Sequence, residues 1–253
     1  MSLLSEIMVK TAVLPPLMEY THPLVQPLLK LSDQALVESF QQQLQQGRYF
    51  VAIFARYAPL VYSVLSHHAR SQVQIDFLYA KTWQTIFVSL HAVKFTEAGV
   101  LMADEDQAPV PTFRAWVLNQ VAACVHSPVP PIESISYTLQ VASPPFWCYL
   151  EAALAYLPAL TRLILVTTQT FHWNTERLIA FLEAEDQPIT LGEISQHLQN
   201  GYQLLRDCLP GDVQTIYLSQ IAPARTTVSQ DFHADLDRLA NNLFAEETLP
   251  IPA

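Results

Sequence analysis

The stretch IDFLYAKTWQTIFVSL, residues 75–90, decides the fold class because it carries the most regular apolar spacing in the chain. Its apolar, aromatic and methyl-bearing residues recur at alternating steps of three and one, which places them along one side of an α-helix. They are Ile75, Leu78, Tyr79, Thr82, Trp83, Ile86, Phe87 and Leu90. A helix with such a stripe needs a surface to cover it, so the spacing predicts a core helix in which Trp83, Ile86 and Phe87 are buried.

Helical spacing also surrounds this stretch in the first half of the chain. Ser32 can cap a helix with apolar residues at 36, 37 and 40, and Gly47 is a natural stop. A second run, residues 50–65, has one apolar face and contains Pro59, which should bend it. Thr112 can cap a further helix with apolar residues at 113, 116, 117, 121 and 124. Together these segments predict one helical domain.

Shorter helical patterns fill the second half of the chain. They cover residues 146–157, 160–166, 175–182 and 190–209. Thr190 and Glu193 match a capping box, in which a hydroxyl and a carboxylate each bond a backbone amide at the start of a helix. A trailing pattern at 231–244 predicts one more helix near the end of the chain.

Prolines separate these helical segments into groups. Five of the 18 prolines fall between residues 128 and 145, where no helical stripe is long enough to predict a helix. We therefore expect an all-α protein of two small helical domains joined by a Pro-rich linker. The expected division is an N-terminal arm at 1–31, a first domain at 32–127, the linker at 128–145, a second domain at 146–210 and a C-terminal extension with one helix at 211–253.

The charge balance argues against long-range attraction to nucleic acid or to anionic membranes. Thirteen Lys and Arg residues stand against 23 Asp and Glu residues, for a net charge of −10. The three cysteines lie far apart and form no CxxC pair, which fits a reducing cytoplasm. The N-terminus lacks a signal-peptide pattern, and no uninterrupted apolar stretch approaches the roughly 18 residues of a membrane span. We therefore expect a cytoplasmic protein that does not bind a membrane.

The sequence lacks the common motifs of catalysis and cofactor binding. It contains no HExxH zinc motif, no GxGxxG or GxxxxGK[ST] phosphate loop and no GxSxG nucleophile turn. The eight histidines are isolated except for His67 and His68, which point in different directions on a helix. We expect no enzymatic activity, no cofactor and no bound metal.

Several segments resemble the sigma-70 family of RNA polymerase sigma factors, in particular its small extracytoplasmic-function type. FARYAPLVY at 54–62 resembles the first conserved helix of region 2, including the internal proline, and FLYAKTWQTIFVSL at 77–90 is similar to the helix that follows. FRAW at 113–116 is similar to the start of the promoter-reading helix. Leu157-Pro158 resembles the opening of region 4, a helix-turn-helix domain, and ITLGEISQHLQNGYQLLRDCL at 189–209 resembles its recognition helix and tail.

The resemblance implies a transcription initiation factor that binds RNA polymerase core and helps direct it to promoter DNA. It implies polymerase contacts from one helix, at Asp76, Phe77, Ala80, Lys81 and Gln84. It implies DNA contacts from Arg114, Asn119, Thr190, Ser195, Gln196, His197, Gln199 and Asn200. In the recognition helix, the family's pattern places Ser195, His197 and Asn200 outward, whereas Ile194 and Leu198 pack inward on the helix that begins near Thr175.

The sequence departs from the family's pattern at the surfaces that would bind. Ala80 and Lys81 replace a Gln-Glu pair that helps engage the polymerase clamp, and neutral polar residues replace the basic residues of the recognition helix. Residues 146–210 hold three arginines and seven acidic residues, so we expect promoter DNA to bind weakly or only within the polymerase complex. Two alternatives stay open. One is a degenerate sigma-like module that binds polymerase, another sigma factor or a regulatory protein without binding DNA, and the other is an unrelated helical protein.

Overall fold

The computed structural model describes residues 14–69, 71–97, 99–101, 109–131, 135, 137–139 and 142–218. Within these ranges the protein is mostly α-helical, which confirms the expected all-α class in its coarse form. An antiparallel strand pair, β1 (Lys94–Thr96) and β2 (Gly99–Leu101), was not expected from the sequence. Its register pairs Phe95 with Val100, and Val100 also bridges to Val110 ahead of the next helix.

Four helices build the first half of the fold. They are α1 (Asp33–Gln42), α2 (Arg48–His68), α3 (Gln72–Ser89) and α4 (Phe113–Val125). The expected caps are present, because the side chains of Ser32 and Thr112 accept hydrogen bonds from the amides of Ala35 and Ala115. Helix α2 runs through Pro59 as one continuous element.

The aromatic stripe of α3 forms the centre of the core. Trp83 and Ile86 are fully buried, as expected, whereas Phe87 is half-buried. The Trp83 ring lies 4.8 Å from the Phe54 ring of α2 in an edge-to-face arrangement. The Phe87 ring lies 5.0 Å from the ring of Tyr149, which belongs to the second half of the chain. The stripe therefore contacts residues that precede α3 in the sequence and residues that follow it.

The second half contains α5 (Pro144–Tyr156), α6 (Ala159–Gln169), α7 (Thr175–Ala184), α8 (Leu191–Cys208) and α9 (Gly211–Tyr217). The capping box at α8 is confirmed: the Thr190 amide donates to Glu193 Oε2 at 2.8 Å, and the Glu193 amide donates to Thr190 Oγ1 at 3.3 Å. Helix α9 was not expected. The helix predicted at 231–244 lies outside the described residues.

The two halves of the chain share one buried core. Tyr149 of α5 packs against the rings of both Phe50 and Phe87. Two residues of the expected linker, Tyr137 and Ala142, are buried in the same core, and the Tyr137 hydroxyl donates to the Ala142 carbonyl at 2.6 Å. A smaller cluster joins α6, α7 and α8 through Ile164, Leu178, Leu182 and Ile194. Side-chain packing thus joins the two halves of the chain, because α5, Tyr137 and Ala142 contribute apolar surface to the same core as α2 and α3.

Helix α9 also supplies the N-terminal cap of α2. Asp212 Oδ1 accepts a hydrogen bond from the Gly47 amide at 3.1 Å, and Oδ2 accepts one from the Arg48 amide at 3.0 Å. The approach is close enough to require glycine, since a Cβ on Gly47 would lie 2.2 Å from Val213 Cγ2. The carboxylate meets the positive end of the α2 dipole, so the two helix starts hold each other in place.

The described part of the N-terminal arm, residues 14–31, packs against the core through two short 3-10 helices, Met18–Tyr20 and Gln26–Lys30. Its Glu19 is buried. Glu19 Oε1 accepts hydrogen bonds from the hydroxyls of Ser143 and Tyr217. This carboxylate therefore ties the arm to the start of α5 and to α9.

By length and composition, α2 is apolar enough to cross a membrane. Its apolar residues from Phe50 to Leu65 are largely buried against other helices. A core helix that is covered on most sides has the same composition, so packing accounts for the apolar character of α2.

Candidate functional site

A groove of about 320 Å³ lies between α3, α5 and the two residues Ile135 and Tyr137. It is lined by Phe77, Ala80, Lys81, Gln84, Ile135, Tyr137, Trp147 and Glu151. The α3 residues share one face because they are spaced at three and four positions along the helix. Trp147 and Glu151 are likewise four apart on α5, so both helices turn one face into what we call the α3–α5 groove.

Glu151 is the acidic residue of the groove. Its carboxylate accepts a hydrogen bond from the Gln84 side-chain amide. Partial burial nevertheless raises the pKa of Glu151, and the donor groups of Gln84 and Trp147 only partly oppose this rise. The Glu151 carboxylate is therefore partly shielded from water, and its neighbouring donor groups are uncharged.

Lys81 lies at the edge of the groove. Its Nζ is 5.8 Å from the centre of the Phe77 ring, within the range of a cation–π contact. Lys81 and Glu151, both in the described part of the chain, form no ion pair within 4.0 Å of each other. The charge of Glu151 is therefore not neutralised by the cation closest to it in the lining.

Asp76 does not belong to this surface, although the resemblance assigns it to polymerase contact. Asp76 is buried, and its two carboxylate oxygens accept hydrogen bonds from the Gln72 side chain at 2.6 Å and from the Leu139 amide at 3.0 Å. Burial raises the pKa of Asp76. Its carboxylate holds the chain at residue 139 against α3, so its role in this structure is internal. The other four residues of the expected polymerase set all line the α3–α5 groove.

Most of the residues expected to contact DNA are solvent-exposed. Exposed positions are Arg114 and Asn119 on α4 and Thr190, Ser195, Gln196, Gln199 and Asn200 at or on α8. Thr190 is occupied as the cap of α8, and the Ser195 hydroxyl donates to the Leu191 carbonyl. The exposed side of α8 therefore offers mainly neutral polar groups.

His197 differs from the expected outward orientation. It is half-buried, and its Nδ1 lies 3.0 Å from the hydroxyl oxygen of Thr161 on α6. The expectation that His197 faces outward is wrong because α6 packs along that side of α8. The inward orientation of Ile194 is confirmed, since it is buried together with Leu178 of α7.

Helices α7 and α8 are joined by a short turn at residues 185–190. Asp186 in this turn has a positive φ of 56°, a backbone conformation in which aspartate and asparagine are enriched among residues other than glycine. Arg177 of α7 stacks over the Trp173 ring at 4.4 Å. This arginine is therefore already engaged with an aromatic neighbour.

Four groove residues were missed by reasoning from the sequence: Ile135, Tyr137, Trp147 and Glu151. The spacing of Trp147 and Glu151 on one helix was the available signal. Among the described residues, no group of three or more His, Cys, Asp or Glu side chains is placed to hold a metal ion.

No protein-family model, no curated protein and no solved structure matches this chain.

Proposed function

We propose that this protein is a sigma-70-like transcription initiation factor that acts in the cytoplasm, without enzymatic activity. In this proposal, residues 32–127 and 146–210 correspond to the two helical regions of the family, and α7 with α8 forms the helix-turn-helix. The protein binds RNA polymerase core and helps direct it to promoter DNA. The α3–α5 groove is the polymerase-binding surface.

One observation carries the proposal. Phe77, Ala80, Lys81 and Gln84 were assigned to polymerase contact from the resemblance alone, and they line a single groove. A concave surface with apolar and aromatic walls and a few polar groups is the usual form of a binding site. The grouping supports a shared role for these four residues.

The test is a pull-down of RNA polymerase core with the full chain and two matched variants. Gln84→Trp places a bulky ring at an exposed position in the groove, so it should reduce the amount of bound core. Val88→Trp places the same ring one helical turn further along α3, at a position that is 65% exposed and outside the groove. Its binding should match the wild type. Failure of the wild-type chain to bind core would refute the proposal.

A second candidate function is a degenerate sigma-like module that regulates polymerase or another sigma factor without binding DNA. The neutral exposed side of α8 favours it, because tight DNA binding needs several basic contacts to phosphate. A salt titration of duplex DNA binding, with core enzyme alone and with the complex, separates the two. Increased DNA affinity of the complex supports the initiation factor, and unchanged affinity supports the module.

A further inference from the structure

The α3–α5 groove combines aromatic walls with one carboxylate, Glu151, that forms no ion pair with any residue that the structure describes. The rings of Tyr137 and Trp147 lie 5.9 Å apart at 60° to each other. Trp147 and Glu151 lie one helical turn apart on α5, and both line the groove. Aromatic faces attract cations through their quadrupoles, and a dehydrated carboxylate attracts them through its charge. Both groups therefore favour the same class of ligand.

Among organic cations, a guanidinium group fits these walls best. It is planar, stacks on aromatic rings and donates a fork of hydrogen bonds to a carboxylate. Among the described residues, the Glu151 carboxylate accepts a hydrogen bond from the Gln84 side chain, whereas a carboxylate can accept about four. The remaining acceptor positions are those that a guanidinium would use.

The volume of the groove and the net charge of the protein indicate which kind of molecule would carry the cation. A volume of about 320 Å³ is at the low end for ligand sites, which suits one long side chain better than a cofactor. The open, aromatic-lined form resembles the pockets that receive anchor side chains at protein interfaces, where arginine is enriched. The net charge of −10 attracts a basic partner surface and repels nucleic acid.

We propose that the α3–α5 groove receives an arginine side chain from a partner protein, with Glu151 as the carboxylate and Trp147 and Tyr137 as the stacking surfaces. Lys81 limits the groove to one cation, because its ammonium group occupies the edge at Phe77. The assignment of the partner as a protein rests on the proposed function, whereas the preference for guanidinium rests on the groove alone.

The test uses the full chain and the tripeptide Ac-Leu-Arg-Leu-NH2, with the citrulline peptide Ac-Leu-Cit-Leu-NH2 as a neutral match. Binding is followed by the NMR signal of the Trp147 indole, assigned with Trp147→Phe. We expect the arginine peptide to bind roughly tenfold or more tightly than the citrulline peptide, as for a charge-assisted hydrogen bond. Glu151→Gln should remove this preference, and Glu183→Gln, at an exposed position on α7, should leave it unchanged.

Lys81→Ala provides a second variant that does not alter the carboxylate. Removal of the ammonium group should strengthen binding of the arginine peptide. Equal binding of the two peptides, or an arginine preference that survives Glu151→Gln, overturns the proposal. Tighter binding of free L-argininamide than of the tripeptide would indicate a small-molecule site and would overturn the assignment to a protein side chain.

The polymerase pull-down distinguishes this inference from the proposed function. If core enzyme binds but the arginine preference is missing, the inference fails and the function stands. If the arginine preference is present but core enzyme does not bind, the proposed function fails and the groove keeps its specificity for another protein.

Discussion

Asp212→Ala tests the contact that joins the end of the described chain to the start of α2. The substitution removes both acceptors for the Gly47 and Arg48 amides. Loss of a helix cap costs about 0.5–2 kcal/mol, and loss of a negative charge at a helix N-terminus costs about 0.3–1 kcal/mol more. We therefore expect the free energy of unfolding to fall by roughly 1–3 kcal/mol.

The assay is urea denaturation followed by far-UV circular dichroism. Asp207→Ala is the matched control, because Asp207 is an exposed carboxylate whose partner, Gln203, lies on the same helix. It lies near the C-terminal end of α8, where removal of a negative charge should be neutral or slightly stabilising. Asp212→Asn should fall between the wild type and Asp212→Ala, since it keeps one oxygen acceptor. The reasoning is refuted if Asp212→Ala is as stable as Asp207→Ala.

Three further predictions follow from the packing, the exposed side of α8 and the groove. Gly47→Ala should lower the free energy of unfolding in urea by about 1–3 kcal/mol because the new Cβ would collide with Val213. Adding Val213→Ala should recover part of this loss, and a Gly47→Ala variant as stable as the wild type would contradict the prediction. The double variant Ser195→Lys, Asn200→Lys should raise DNA affinity and steepen the slope of log affinity against log salt concentration by about one unit per contact, as measured by fluorescence anisotropy. Unchanged binding would show that this side of α8 does not contact DNA. The raised pKa of Glu151 means that its ionisation opposes folding, so Glu151→Gln should be more stable than the wild type at neutral pH. That advantage should shrink as the pH falls through the folded-state pKa of Glu151, and urea titrations at two pH values would detect the change.

The helices were predictable because their signals are local. The stripe of α3 places Trp83 and Ile86 on one side of the helix whatever covers them. The caps at Ser32 and Thr112 depend on side chains within three residues of the amides that they bind. Helix α9 was missed because it is short, and its residues were assigned to the C-terminal extension.

The roles of individual polar side chains were less predictable. Asp76 was expected to contact polymerase, yet it is buried and its carboxylate accepts a hydrogen bond from the Leu139 amide. His197 lies between exposed neighbours in sequence, yet Thr161 of α6 is its partner. In both cases the partner is distant in the chain, and helical periodicity does not indicate which distant residue contacts the polar side of a helix.

By itself, the sequence determined the helical class, the positions of α1 to α8 within a few residues, and the four α3 residues that share one side of the groove. Only the tertiary structure decided that α5 and α9 pack on the first half, that Asp212 caps α2, and that Glu151 and Trp147 complete the groove. The physical reason is that periodicity and capping act over one or two helical turns. Desolvation, close approach and long-range hydrogen bonds depend instead on which distant segments meet, and that choice is made by the packing of the whole core.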